Sequence, residues 1–161
     1  TAWHFRAESR VRVSAGDWNP RAVRLARRNA ESNAVSVEVR RSNLFSAFAG
    51  YEGTVDVLVS NPPYIHPEEE DSLPLEVRLG DPSDALFDPD GGTGFHRRIA
   101  ERGRDFLRPG GFLAMEMGDQ QGESVSRVLQ DAGYEEVAVL PDLNRRDRIV
   151  TGRRPKSTPS S

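Results

Sequence analysis

Strand-like and helix-like patterns alternate along most of the chain. Apolar side chains occur at every second position, or in short continuous runs, in the segments that we predict to be strands: residues 11–17, 35–43, 55–60, 112–118, 134–142 and 147–154. Helical periodicity appears between them, at residues 19–33, 93–107 and 121–133. This order of segments predicts the α/β fold class, as an α/β sandwich.

The first predicted helix has clear starting signals. Asn19 is a suitable N-cap, and Pro20 fits the first helical position because the missing N–H would have no intrahelical partner there. Val23, Ala26 and Ala30 fall on one face of this helix, which we expect to be the face that packs against the sheet.

Other segments predict turns, irregular structure or deep burial. The run VDVLVS at residues 55–60 is typical of a strand that is covered on both faces. The sequence RPGG at residues 108–111 predicts a turn. The acidic, proline-containing stretch at residues 66–92 predicts irregular structure up to the next helix.

Length and composition favour one globular domain. With 161 residues, 36% apolar and 29% charged, the chain can form one hydrophobic core. We expect a partial domain over residues 1–154 and a disordered tail over residues 155–161. The chain shows neither a membrane-spanning run nor a signal-peptide pattern, so we expect a cytoplasmic protein.

Charge and residue usage limit the kinds of catalysis and binding that the chain can support. The chain has no cysteine, which excludes disulfides, thiolate catalysis and cysteine-ligated zinc. His4, His66 and His96 lack the spacing of metal ligands, so we predict no metal site. The formal charge of −3 gives no broad attraction for nucleic acid.

Polar side chains follow the ends of three predicted strands. Asp17, Asn43 and Asn61 each come at the end of one strand-like segment or just after it. Ligands of open parallel sheets bind beyond the carboxyl ends of the strands. We therefore expect these three side chains to line one edge of the sheet and to mark a binding site.

The sequence Asn61-Pro62-Pro63-Tyr64 predicts a rigid slot for a planar NH2 group. Each proline restricts the residue before it and lacks an N–H, so the carbonyls of Asn61 and Pro62 can face a ligand without a competing donor. The Asn61 side chain adds an acceptor, and Tyr64 adds a flat ring face for stacking. The substrate should therefore be an amide or an exocyclic amine.

Several segments resemble one enzyme family. SNPPYI resembles the [ND]-P-P-[YFW] motif of amino-methyltransferases that use S-adenosylmethionine. Among these enzymes, the chain resembles more specifically the glutamine methyltransferases that modify peptide-chain release factors, the HemK/PrmC type. It rests on GDWNPRAVRLARRNAESN, VRLGDPSDALFDPDGGTGFHRRI, LRPGGFLAMEMGDQQGESV and RDRIVTGRR. The resemblance implies a Rossmann-like class I methyltransferase fold.

The resemblance also implies roles for the candidate residues. Asp17 would accept hydrogen bonds from the ribose of S-adenosylmethionine, and Asn43 and Leu44 would border its adenine. Most relatives carry aspartate where this chain has Asn43. The run from Asn61 to Tyr64, with Pro62 and Pro63, would hold the glutamine amide of the Gly-Gly-Gln loop of a release factor. Asn61 would also lie near the methionine portion of the cofactor.

The start of the chain departs from the family pattern. Relatives begin this fold with a strand and the glycine-rich loop D-x-G-x-G-x-G, whereas this chain begins TAWHFRAESR and has its first glycine at Gly16. We therefore expect an N-terminally truncated domain that lacks its first strand and cofactor loop. Two alternatives remain open: an adenine methyltransferase acting on DNA or RNA, and an inactive remnant of the fold.

Overall fold

The computed structural model describes residues 10–72 and 83–156. Residues 1–9, which include His4, and part of the motif VRLGDPSDALF lie outside the described residues, as does the predicted tail from residue 157 onward. The chain divides into two compact units, Thr1–Gly50 and Tyr51–Ser161, and each is described by itself below.

The first unit contains a strand–helix–strand motif. Its elements are β1 (Ser14–Asp17), α1 (Pro20–Ser32) and β2 (Glu38–Arg41). The two strands pair in parallel, in a register that runs from Ser14 opposite Glu38 to Asp17 opposite Arg41. The predicted N-cap is confirmed, because the Asn19 side chain accepts a hydrogen bond of 2.8 Å from the Arg21 N–H.

The second unit contains a four-stranded mixed sheet with helices packed against it. Its elements are β3 (Val55–Ser60), a 3-10 helix (Pro67–Ser72), α2 (Ser83–Leu86), α3 (Gly94–Phe106), β4 (Leu107–Glu116), α4 (Gly122–Asp131), β5 (Glu135–Pro141) and β6 (Asp147–Arg153). The strand order is β3-β4-β6-β5, with β3 parallel to β4 and the other pairs antiparallel. The observed order of strands and helices therefore matches the predicted α/β class.

The core of the second unit lies between β4 and the two longer helices. Among its buried apolar side chains are Leu113 and Met115 of β4, Ile99 and Phe106 of α3, and Leu129 of α4. These positions recur at helical or alternating spacing, so the sequence pattern alone identifies this apolar face. Within the described residues, no helix combines the length and the apolar character that crossing a membrane requires.

The prediction that residues 55–60 are covered on both faces is wrong. Val57 and Val59 of β3 are 57% and 65% exposed, while Leu58 between them is half-buried. β3 is the edge strand of its sheet and pairs only with β4 in that sheet. A continuous apolar run therefore does not imply two covered faces in this chain.

The predicted turn at residues 108–111 is also wrong. These residues lie inside β4 as an irregularity, because Val55 pairs with Leu107 while Val57 pairs with Phe112. The Gly110 N–H donates to the Arg154 carbonyl at 2.9 Å, so the backbone stays hydrogen-bonded through the distortion. Gly110 has a φ of +76°, which favours glycine at this position.

The described parts of residues 66–92 contain more regular structure than predicted. It contains the 3-10 helix Pro67–Ser72 and α2, and Ile65 forms a parallel bridge with Phe87. Asp88 is fully buried, and its carboxylate accepts hydrogen bonds from the N–H groups of Gly94 and Phe95, at 2.5 and 3.3 Å. Asp88 therefore provides acceptors for the start of α3, a role that the sequence did not reveal.

His96 is a buried residue of α3. Its side chain is fully buried, and its Nε2 lies 2.8 Å from the Glu116 carbonyl oxygen. A carbonyl can only accept a hydrogen bond, so Nε2 carries the proton in the neutral ring. Burial lowers the pKa of His96 below its ordinary value of 6.5, because a charged imidazolium would lose its hydration.

Acid should therefore destabilise this fold partly through His96. The unfolded chain binds a proton at His96 more readily than the folded chain does, so the stabilisation is complete above pH 6.5 and is lost as the pH falls towards the lowered pKa. Urea unfolding at pH 5.5 and 7.5 measures this loss. His96→Gln should reduce the difference in unfolding free energy between these pH values. An unchanged difference in His96→Gln would contradict the assignment.

Candidate functional site

Asp17 and Asn43 lie at the same edge of the first unit. Asp17 ends β1 opposite Arg41, and the Ser42 N–H donates to the Asp17 carbonyl at 2.9 Å. Because β1 and β2 are parallel, Asn43 follows the carboxyl end of the neighbouring strand, as the sequence predicted. The structure thus brings together two of the predicted polar residues.

The Asp17 side chain is exposed and forms one local hydrogen bond. Its Oδ1 accepts a hydrogen bond of 2.7 Å from the Asn19 N–H, which fixes the turn into α1. Within the described part of the chain, Oδ2 makes no hydrogen bond. The carboxylate therefore shapes the turn through one oxygen and presents the other to solvent.

Ser42 builds the turn that presents Asn43 and Leu44. Its Oγ donates to the Leu44 carbonyl at 2.7 Å and accepts from the Ala47 N–H at 3.0 Å, and only 4% of the residue is exposed. Leu44 has a φ of +49°, an unusual value for a side chain of this size. This role of Ser42 was not predicted from the sequence, although a serine at the end of a strand is a common turn former.

Asn61 and Pro62 leave their acceptors open. Asn61 directly follows β3, which ends at Ser60, and its side chain is exposed and makes no hydrogen bond to any described residue. Within residues 10–72 and 83–156, no hydrogen bond is donated to the carbonyls of Asn61 and Pro62. The predicted slot depends on acceptors of this kind, from which prolines keep competing donors away.

The Tyr64 ring is fixed at its hydroxyl end. The phenol donates to Glu116 Oε1 at 3.2 Å and accepts from Arg148 Nη1 at 3.3 Å. Burial, followed by the neighbouring Glu116 carboxylate, raises the pKa of Tyr64, so the phenol stays protonated at neutral pH. Glu116 ends β4 and Arg148 lies in β6, so this ring is oriented by the central strands of the sheet.

The main chain of Tyr64 is held as well. Gln121 Nε2 donates to the carbonyls of Tyr64 and Gly92, at 3.0 and 3.2 Å. Gly92 has a φ of +79°, and a Cβ on it would lie 2.9 Å from the Tyr64 oxygen. Only glycine fits here, because both the backbone angle and the space exclude a side chain. These roles of Gln121, Gly92 and Arg148 were not predicted from the sequence.

The chain matches a methyltransferase family. The profile of the family described as "Methyltransferase small domain" matches residues 1–95, which is more than half of the chain, and the chain belongs to this family. A solved methyltransferase structure from Pyrococcus furiosus aligns with a TM-score of 0.69 at 21% identity, over 96% of this chain and 68% of that one. The predicted Rossmann-like methyltransferase fold is thereby confirmed.

Sequence similarity to curated proteins is more specific. The chain is 40% identical over 146 residues to a release factor glutamine methyltransferase of Bacteroides thetaiotaomicron, which covers 89% of this chain and 52% of the relative. It is 41% identical over 143 residues to the enzyme of the same name from Cereibacter sphaeroides, over 88% of this chain and 50% of the relative. The chain thus spans about half the length of the curated relatives it matches.

Two adjacent glycines allow a matched test of the packing of Gly92 and Gln121 against the Tyr64 carbonyl. Gly91 and Gly92 have φ values of +78° and +79°, but a Cβ on Gly91 meets no atom of the described residues within 4 Å. Alanine at either position costs about 1–2 kcal/mol of backbone strain. Gly92→Ala should cost about 1–3 kcal/mol more, because its Cβ also displaces Gln121 and the Tyr64 carbonyl. Equal losses of unfolding free energy in urea titrations of the two variants would contradict this packing.

Proposed function

We propose that this chain carries the catalytic residues of an enzyme that N-methylates a glutamine side-chain amide in a peptide-chain release factor. The observation that carries the proposal is the row of open acceptors at Asn61 and Pro62 directly after β3. The names of the two similar curated proteins support the choice of glutamine as the acceptor and of a release factor as the partner.

The acceptors orient the attacking nitrogen. A glutamine amide has two hydrogens on a planar nitrogen, and the Asn61 side chain and the Pro62 carbonyl accept one each. The Tyr64 ring supports the amide plane by stacking. An amide nitrogen is a weak nucleophile because its lone pair is delocalised into the carbonyl. Holding both hydrogens orients that lone pair, so orientation contributes more than a strong base would.

S-adenosylmethionine fits the residues of the first unit. When bound, it supplies an electrophilic methyl group. The exposed Oδ2 of Asp17 is a suitable acceptor for ribose hydroxyls, since the turn into α1 uses only Oδ1. The turn built by Ser42 exposes the Asn43 side chain and half-exposes Leu44, which suits a polar and an apolar contact with adenine.

The substrate side favours a protein over nucleic acid. The 3-10 helix that follows Tyr64 and Ile65 carries Glu68, Glu69 and Glu70 in its first turn. Negative charges at this position repel phosphates, which disfavours the adenine methyltransferase alternative. We therefore propose the Gly-Gly-Gln loop of a release factor as the partner, with neither nucleic acid nor membrane bound directly. The reaction belongs in the cytoplasm, where release factors act.

Asn61→Ala tests the proposed chemistry. Loss of one oriented polar contact in the transition state should lower kcat by about a hundredfold or more, with little change in cofactor affinity. The assay is transfer of labelled methyl from S-adenosylmethionine to a release-factor domain that carries Gly-Gly-Gln. Asn144→Ala is the matched control, because Asn144 is an exposed residue of the turn between β5 and β6.

Two substrate controls separate the alternatives. A release-factor domain with Gln→Ala in the tripeptide should accept no label, and an adenine-containing oligonucleotide should accept none either. If only the oligonucleotide is labelled, the substrate is adenine and not glutamine. If a version of the chain that includes the glycine-rich loop of its relatives labels no substrate, the remnant alternative is favoured. Near-normal turnover by Asn61→Ala would mean that the Asn61–Tyr64 segment is only a turn.

Asp17 variants test the cofactor assignment. Asp17→Ala should weaken S-adenosylmethionine binding by about 1–3 kcal/mol, the range for hydrogen bonds to a charged group. Asp17→Asn keeps an oxygen for the Asn19 N–H but replaces the other acceptor by an NH2 group, so it removes the ribose contact without removing the turn. Calorimetry should show weakened binding in both variants. Wild-type affinity in Asp17→Asn would assign Asp17 to the turn alone.

A further inference from the structure

The Gln121 side chain joins three segments of the second unit. Its Nε2 donates to the carbonyls of Tyr64 and Gly92, at 3.0 and 3.2 Å, and its Oε1 accepts from the Gly118 N–H at 2.9 Å. The side-chain amide thus uses both of its hydrogens and one oxygen lone pair. Its partners lie after β3, before α3 and after β4.

Gln121 is itself a firm anchor, because its main chain begins α4. Its N–H donates to the Gly118 carbonyl at 3.0 Å, and its own carbonyl accepts from the Val125 N–H at 2.9 Å and from Ser124 Oγ at 3.0 Å. Main-chain bonds on both sides therefore fix the point from which the side chain extends.

The Tyr64 carbonyl belongs to the peptide group that precedes Ile65. The N–H of the same peptide donates to the Leu86 carbonyl at 3.1 Å, so this peptide is held on both sides. Upstream, Ser60 pairs with Met115 in the sheet. The residues between these two fixed points include Pro62 and Pro63, whose φ angles are restricted. The directions of the open carbonyls therefore depend on both ends.

We infer that Gln121 is a positioning residue, which holds the Tyr64–Ile65 peptide and thereby aims the acceptors of Asn61 and Pro62. The catalytic part of this inference rests on the proposed function. Gln121 acts through Tyr64 and does not itself touch the substrate.

The chemistry of the contacts requires an amide at this position. Both partners of Nε2 are carbonyl oxygens, so the side chain must supply two donors from one atom. A glutamate of the same size would keep the acceptor for Gly118 and would place a charged oxygen against two carbonyls. Gln121→Glu therefore removes the two donors with almost no change in volume.

Gln120→Glu is the matched control. It makes the same chemical change and adds the same charge one residue earlier, at an exposed side chain. Any effect of added negative charge on a release-factor substrate appears in both variants, whereas loosening of the Tyr64–Ile65 peptide appears only in Gln121→Glu.

Amide hydrogen exchange measures positioning without any substrate. In Gln121→Glu of the full chain, exchange of the Ile65 N–H should accelerate by about tenfold or more, while amides in β4 and β6 keep their wild-type rates. Gln120→Glu should show wild-type exchange at Ile65. Unchanged exchange at Ile65 in Gln121→Glu would overturn the inference, and so would equal acceleration throughout the sheet, which indicates a general loss of stability.

Methyl transfer measures the catalytic consequence. Gln121→Glu should lower kcat by about tenfold or more, with S-adenosylmethionine affinity unchanged by calorimetry. Wild-type kcat despite faster exchange at Ile65 would overturn the catalytic part. If a wild-type version that includes the glycine-rich loop of the relatives transfers no methyl group to glutamine, the proposed function fails, and the exchange result still decides whether Gln121 positions the peptide.

Discussion

The parallel pairing of β3 with β4 is the constraint on which the candidate chemistry of the second unit depends. It aligns Ser60 with Met115, so both strands end at the same edge of the sheet. Asn61 to Tyr64 continue from one strand, and Glu116 and the turn to Gln121 continue from the other. A shift of the register by one residue would turn Glu116 to the opposite face of β4 and separate it from the Tyr64 phenol.

Acceptors without a protein donor favour ligands that can donate hydrogen bonds to them. The exposed Asn61 side chain is solvated in water, so leaving its acceptor without a protein donor costs little. A ligand that covers this acceptor must return a hydrogen bond, because a buried acceptor without a donor costs about 1–3 kcal/mol. A glutamine amide supplies two N–H groups, and a glutamate carboxylate supplies none. In the proposed function, discrimination between these nearly equal side chains comes from the Asn61 side chain and the Pro62 carbonyl and needs no charged residue.

The sequence revealed the features that depend on near neighbours. The cap at Asn19, the helices and the order of the strands all follow from residues within a few positions of each other. The distortion of β4 at residues 108–111 was missed because its stability comes from pairing with Arg154. Likewise, the exposure of Val57 follows from the place of β3 at the edge of its sheet, which local pattern does not determine.

The same reasoning explains which site residues were found. Asn61, Pro62, Pro63 and Tyr64 are adjacent, so their joint chemistry can be read from a short motif. Their supporting residues are distant in sequence: Gln121 bonds Tyr64 across 57 positions, and Arg148 bonds it across 84. A resemblance to a family can mark Gln121 within a motif, but only the folded chain shows that its two donors meet two carbonyls.

Contacts from other strands and from Gln121 fix the position of Tyr64 without any ligand. The acidic Glu116 and the basic Arg148 both hydrogen-bond its hydroxyl. Arg148 Nε in turn lies 3.9 Å from a carboxylate oxygen of Asp142. Gln121 holds the carbonyl of the same residue. With the ring and the peptide both fixed, a planar amide that stacks on Tyr64 need not order the protein. In the proposed complex, the entropic cost of binding therefore falls mainly on the substrate loop, because the protein surface is already ordered.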